Sequence, residues 1–201
     1  PLVVDSSLTK TGIADKLDDS YSFQGNNFKN ANLVFMGMAD ATNEYIGGFR
    51  WTNITIPQGW DVTSATMKVY GNTYDDDTVY WKIRMNDIDD AINFNAESPA
   101  DKTTTSAGTD WDIPDTSPWY SSGNYTSPSF DTAFDEVLTR PGRSSGNDII
   151  VIVEDDGCGS GKRRRCDSAD GAGGPDLSVT YLPGIPQNVA ATDGTRCGDV
   201  Q

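Results

Sequence analysis

The chain contains no histidine among its 201 residues. That absence removes the usual general base near neutral pH, the common catalytic triads and most zinc centres. Glutamate is nearly as scarce, since the 30 acidic residues divide into 26 Asp and 4 Glu. Glu favours helices, whereas Asp competes with the backbone for hydrogen bonds and settles in turns and caps, so an acidic helical bundle is excluded. Lys and Arg number only 15, and the formal net charge of -15 would repel a phosphate backbone. No run approaches the ~18 apolar residues of a membrane span. Aliphatic core formers are also thin: Leu, Ile, Val and Phe total 38, a level that in a highly charged chain borders on disorder.

The aromatic content points the other way. Five Trp and eight Tyr each bury a large area, so a core of few but big side chains is expected. The length suits one domain, or one domain plus a fragment. No Met begins the chain and no charged-then-apolar leader follows, so a signal peptide, had there been one, is expected to be already removed.

Short extended stretches separated by turn residues dominate. Leu2 to Leu8, Asn32 to Met38, Tyr45 to Ile56, Thr63 to Tyr70, Thr78 to Met85, Asp148 to Glu154 and Asp176 to Leu182 all read as strands. Ile149-Ile150-Val151-Ile152-Val153 is continuously apolar, as in a strand covered on both faces. One helix is predicted, with Ser127 as N-cap, Pro128 in the first turn, Phe130, Phe134, Val137 and Leu138 on one face, and a stop at Pro141-Gly142. The expected fold is all-β, an antiparallel, jelly-roll-like β-sandwich with one short α-helix that plugs one end.

The texture changes at Pro183. Residues 1–182 form the expected sandwich module, and 183–201 read as a linker followed by Gln187-Asn188-Val189-Ala190-Ala191-Thr192-Asp193-Gly194. This last stretch resembles the first strand of a fibronectin type III domain, cut short or donated to a neighbouring chain. Seven residues separate Cys158 and Cys166, with Gly157, Gly159 and Gly161 around the first. A disulfide across a hairpin is the favoured reading, since two thiolates without histidine make a poor zinc cage. It implies an oxidising compartment, hence a secreted or cell-surface protein. Cys197 is left over in the tail.

Three residue classes could carry function. Clustered Asp residues, among them Asp18, Asp19, Asp89, Asp90 and Asp170, are candidates for a structural calcium ion, although none has EF-hand spacing. Aromatics in turns and loops are candidates for stacking on sugar: Trp60, Trp119, Tyr120 and Tyr125, with Trp51 and Trp81 assigned to the core. The only basic run, Lys162-Arg163-Arg164-Arg165, could hold acidic sugars through Arg163 and Arg165, which share one face of a strand while Arg164 takes the other. Its structural alternative is to neutralise Glu154-Asp155-Asp156. Paired carboxylates drawn from Asp87, Asp89, Asp90, Glu97, Asp112, Asp115 and Glu154 would suit a glycosidase, but with 30 acids such pairs arise by chance.

Several phrases occur in an order that resembles a known family. Gly48-Phe49-Arg50-Trp51, Ile54-Thr55-Ile56-Pro57-Gln58-Gly59 and Thr63-Ser64-Ala65 come first. Thr104-Thr105-Ser106-Ala107, Trp111, Trp119, Tyr125-Thr126-Ser127-Pro128 and Arg140-Pro141-Gly142 follow. Ser144-Ser145-Gly146-Asn147-Asp148, Arg163-Arg164, Ser168-Ala169-Asp170-Gly171 and Pro175-Asp176-Leu177-Ser178-Val179 complete the series. Together, over residues 15–182, they are similar to the disaggregatase-related or DNRLRE-type β-sandwich modules. The resemblance implies a non-catalytic, carbohydrate-binding-module-like part of a larger secreted microbial protein. It departs from the family at Trp60, where a small residue is usual, and at the Cys158–Cys166 insert. The resulting expectation is a calcium-stabilised carbohydrate-binding or adhesion module, whose partners are a polysaccharide or cell-surface glycan and neighbouring domains. The rivals are a structural spacer pairing through its C-terminal strand and, behind it, a glycosidase.

Overall fold

The computed structural model describes residues 5–13, 15–171 and 173–183. In chain order they form β1 (Ser6–Lys10), β2 (Asp19–Phe23), β3 (Asn26–Asn27), β4 (Leu33–Met38), β5 (Glu44–Trp51), β6 (Asp61–Tyr70), β7 (Val79–Met85), β8 (Thr109–Ile113) and β9 (Asn124–Thr126). Helix α1 (Asp131–Leu138), β10 (Ile149–Asp155), β11 (Arg163–Asp167) and β12 (Asp176–Leu182) follow. One sheet runs β1-β12-β6-β9, and the other runs β11-β4-β5-β10-β7-β8, with β2 and β3 attached at β5. Every strand pair is antiparallel. The all-β antiparallel sandwich with one short helix is therefore the architecture, as the alternation predicts.

The core shows how few aliphatics suffice. Ala65, Met67 and Val69 of β6 face inward and meet Phe49, Trp51, Trp81, Ile83 and Met85 from the other sheet, all fully or nearly fully buried. Strand β10 is buried on both faces. Ile149, Val151 and Val153 join the main core, while Ile150 and Ile152 form a second cluster with Ala91 and Phe94. The second cluster exists because the segment before Pro99 folds across the outside of the sheet, and Gly48 permits the approach. A Cβ there would stand 2.6 Å from the Phe94 ring and 2.9 Å from Pro99.

Local structure differs from the sequence pattern in several places. Helix α1 begins at Asp131, with Phe130 as N-cap, because the Ser127 hydroxyl accepts the Met67 amide of β6 and is not free to cap. The strand expected through Ile56 stops at Trp51. Asn53 turns the chain at φ 55°, and Ile54 is buried from a loop whose amide reaches Asn147 O. Strands β2, β3, β8 and β9 go beyond the expected set, being short and rich in polar residues.

The disulfide expectation is overturned, since Cys158 and Cys166 are both free thiols. Strand β11 alternates so that Arg164 and Cys166 point inward. Cys166 opposes Val34 in the core. Cys158 sits in the loop after β10, where its Sγ lies against the main chain of Tyr80 at 3.1 Å from N and 3.2 Å from O. Each thiol is thus engaged on a different element. Residues from 184 onward, including the fibronectin-like stretch and Cys197, lie outside the described residues. No described helix is long and apolar enough to cross a membrane.

Candidate functional site

Strands β8 and β9 are the free edges of the two sheets on one side of the sandwich, and the 114–123 loop runs between them. A groove of about 340 Å³ opens there, lined by Trp111, Asp112, Pro114, Trp119, Asn124 and Tyr125 among others. Its floor is a tryptophan cluster. Trp81, Trp111 and Trp119 meet pairwise at 5.3 to 5.9 Å between ring centres. Tyr125 stacks on Trp119 at 4.6 Å and 12°.

The loop is held by a second loop and by one buried arginine. Asp75 and Trp119 exchange two main-chain hydrogen bonds, 3.1 and 2.8 Å. Gly71 and the 120–123 turn bond likewise, with Ser122 N donating to Gly71 O at 2.7 Å and Gly71 N to Gly123 O at 2.9 Å. Any side chain at position 71 would collide with Tyr120 O, 2.4 Å from the Cβ site. Beneath both loops the fully buried Arg164 donates five hydrogen bonds to main-chain carbonyls of Asp75, Asp77, Pro114 and Ser117. Burial lowers its pKa against the opposing pull of the Asp75, Asp77 and Asp76 charges.

This scaffold sets two rings in solvent side by side. Tyr74 is 55% exposed and Tyr120 56%, with centroids 5.4 Å apart and planes tilted by 58°. Asp76 accepts the Tyr74 hydroxyl at 3.1 Å, a bond that raises the phenol's pKa. Of the predicted stacking residues only Tyr120 is exposed, while Tyr125 is half-buried in the groove lining. Trp119 is 1% exposed and belongs to the core, which corrects its assignment. Tyr125 keeps one face on Trp119, and its hydroxyl accepts the Tyr120 amide at 2.6 Å. Trp60 lies elsewhere, half-buried against Tyr181 at 5.6 Å. Tyr74 is a site residue that the sequence reading misses. Its signal is an aromatic in the Gly71-Asn72-Thr73-Tyr74 turn, the same criterion that singles out Trp60.

The basic run neutralises Asp75 and Asp77, not the 154–156 acids. Lys162 pairs with Asp77 at 2.9 Å. Arg165 binds both carboxylate oxygens of Asp75, which leaves it committed and corrects its role as a free grip for acidic sugar. Arg163 makes no ion pair among the described residues and lies over Phe35 and Tyr45, 5.7 and 5.6 Å from their centres. Glu154 and Asp156 find Arg84 and Lys82 instead.

The candidate metal residues fall into separate places. Asp18 is paired with Arg50, yet burial outweighs the arginine and raises its pKa. Asp89 is bound by Arg140, which also holds Asp87. Asp90 accepts the Asp148 amide at 2.8 Å. Asp19 and Asp170, far apart in sequence, do come together. The Ala169 amide donates to Asp19 at 2.5 Å, and Asp170 Oδ2 is buried without a partner among the described residues. Burial, then the charges of Asp170 and Asp18, push Asp19 up to about 7 against the pull of the Ala169 bond. No group of three or more His, Cys, Asp or Glu able to hold a metal ion is found among the described residues.

No protein-family model matches the chain, and no curated protein matches it at a significant level.

Proposed function

We propose that the chain is a non-catalytic glycan-binding module of a larger secreted or surface protein, of the DNRLRE-type β-sandwich kind that its sequence resembles. The observation that carries this reading is the pair of solvent-facing rings, Tyr74 and Tyr120, fixed beside an aromatic groove at the edge of the sandwich. A sugar presents an apolar C–H face that stacks on such rings, while hydroxyls reach polar groups at the rim. Four of the seven acids considered for hydrolysis are committed to cations, which favours a binding role over a catalytic one. Asp87 and Asp89 share Arg140, Glu97 holds Lys102, and Glu154 holds Arg84. Calcium enters the reading as a stabiliser at Asp19 and Asp170, the two candidate carboxylates that lie close together.

The test is affinity electrophoresis through gels containing a panel of polysaccharides. At least one gel should retard the protein, and the Tyr74→Ala/Tyr120→Ala variant should run free in it. A panel with no retardation would leave the spacer reading in possession.

A further inference from the structure

The charges around the groove specify what kind of glycan it takes. We infer that it binds an uncharged glycan and excludes chains carrying uronate or sulfate, an inference that rests on the glycan reading above.

The basic tetrad would suggest the opposite, but three of its four cations are consumed and the fourth, Arg163, lies outside the groove lining. Arg164 lies beneath the groove with its donors on Pro114 O and Ser117 O at 2.9 and 2.7 Å, and on the carbonyls of Asp75 and Asp77. Arg165 and Lys162 are closed onto Asp75 and Asp77. Arg163 lies over Phe35 and Tyr45 and is not part of the groove lining. Nearby on β7, Lys82 bridges Asp110 and Asp156.

What remains open is negative. Asp112 is the only charged side chain lining the groove, it is exposed, and it makes no ion pair among the described residues. Asp115 is exposed on the same loop, and Asp76 stands behind the Tyr74 hydroxyl. A polyuronate would bring its carboxylates against these acids with no guanidinium or ammonium in the lining to receive them, in a chain of net charge -15. A neutral sugar finds complementary chemistry in the same place. Trp111 and Tyr125 offer aromatic surface in the lining, Asp112 accepts hydroxyl protons, and Asn124 and Thr126 can donate or accept. The exposed pair Tyr120, next in sequence to Trp119, and Tyr74 lies outside that lining and extends the aromatic surface. The volume, about 340 Å³, lies at the small end of ligand pockets, so a short stretch of chain is gripped.

Affinity gels of galactomannan, xylan and mixed-linkage β-glucan are compared with gels of polygalacturonate and alginate, at low and at high salt. Retardation is expected in at least one neutral gel, unchanged by salt, and absent in both polyuronates. Asp112→Asn should raise whatever residual polyuronate affinity is measurable by roughly two- to fivefold. Retardation by a polyuronate that high salt abolishes would overturn the inference while leaving the glycan reading intact. Retardation by no gel at all would overturn both.

Discussion

The guanidinium of Arg164 lies 5.6 Å from the centre of the Trp119 ring, and neither side chain is exposed to solvent beyond 1%. The arginine arrives from β11, the tryptophan from the loop after β8. Their contact, backed by hydrogen bonds from Arg164 to both loops, is what turns two Asp-, Ser- and Pro-rich segments into a rigid rim. It adds to the main-chain hydrogen bonds between Asp75 and Trp119 that set the spacing of the Tyr74–Tyr120 pair.

Replacing Arg164 with Met should therefore destabilise the fold. The carbonyls of Asp75, Asp77, Pro114 and Ser117 lose their donor, and each buried acceptor left bare costs about 1–3 kcal/mol. A loss of roughly 3–5 kcal/mol is expected in urea unfolding. Lysine should not rescue it, because one ammonium cannot span four carbonyls in the geometry of a planar fork. An unchanged midpoint would show that the loops hold themselves.

The aromatic residues should separate into two classes. Trp119→Ala opens a cavity in the tryptophan cluster and should cost about 3–5 kcal/mol. Tyr74→Ala and Tyr120→Ala, at exposed positions, should change stability by less than about 0.5 kcal/mol. Each should weaken glycan binding by roughly two- to tenfold. Calorimetric binding paired with thermal melts reads both quantities on the same samples. If Trp119→Ala weakened binding without destabilising the fold, the placement of its ring in the core would be refuted.

These two classes show where local pattern is enough. The run Ile149 to Val153 announces a strand covered twice, and Ala91 and Phe94 do cover its outer face. Alternation around Arg164 tells which arginine faces inward. Composition misleads at Trp119, whose Pro- and Ser-rich surroundings look exposed until Arg164, distant along the chain, closes over it. The Cys158–Cys166 spacing suggests a bridge, but strand parity sends Cys166 into the core. Asp19 and Asp170 each stand out in the sequence, while their proximity follows only from strand pairing. Long-range register decides such contacts, and no local window carries it.

The thiols should behave as two independent, unreactive groups. Burial raises the pKa of Cys166 well above its ordinary value. Burial and the Asp155 carboxylate push that of Cys158 up to about 12. Thiolate is the reactive form, so both should resist a disulfide-exchange reagent at pH 8 in the folded chain and react on unfolding. Adding a reductant should leave Tm unchanged. A peptide map containing a Cys158–Cys166 bridge would contradict this directly.

Buried Asp19, beside Asp170, should make stability fall as pH rises from about 4 towards 7. The ordinary pKa of Asp19 is 3.8, and the folded chain raises it to about 7. Below pH 3.8 folded and unfolded chains both hold the proton. Between that value and about 7 the unfolded chain releases it while the folded chain retains it. Stability is then lost with rising pH, at up to about 1.4 kcal/mol per unit, and levels off above about pH 7. Asp18, also raised by burial, acts in the same direction. Asp19→Asn keeps an oxygen to accept the Ala169 amide and removes the buried charge, so its Tm should exceed wild type at about pH 8 and lose much of the slope between about pH 5 and 7. Calcium at millimolar concentration offers an independent arm. If the pair holds the ion, wild type should gain Tm at about pH 8 and Asp19→Asn should not. A calcium response equal in both proteins would remove the ion from these two carboxylates and leave Asp19 as the group that keeps a proton in the folded chain up to about pH 7.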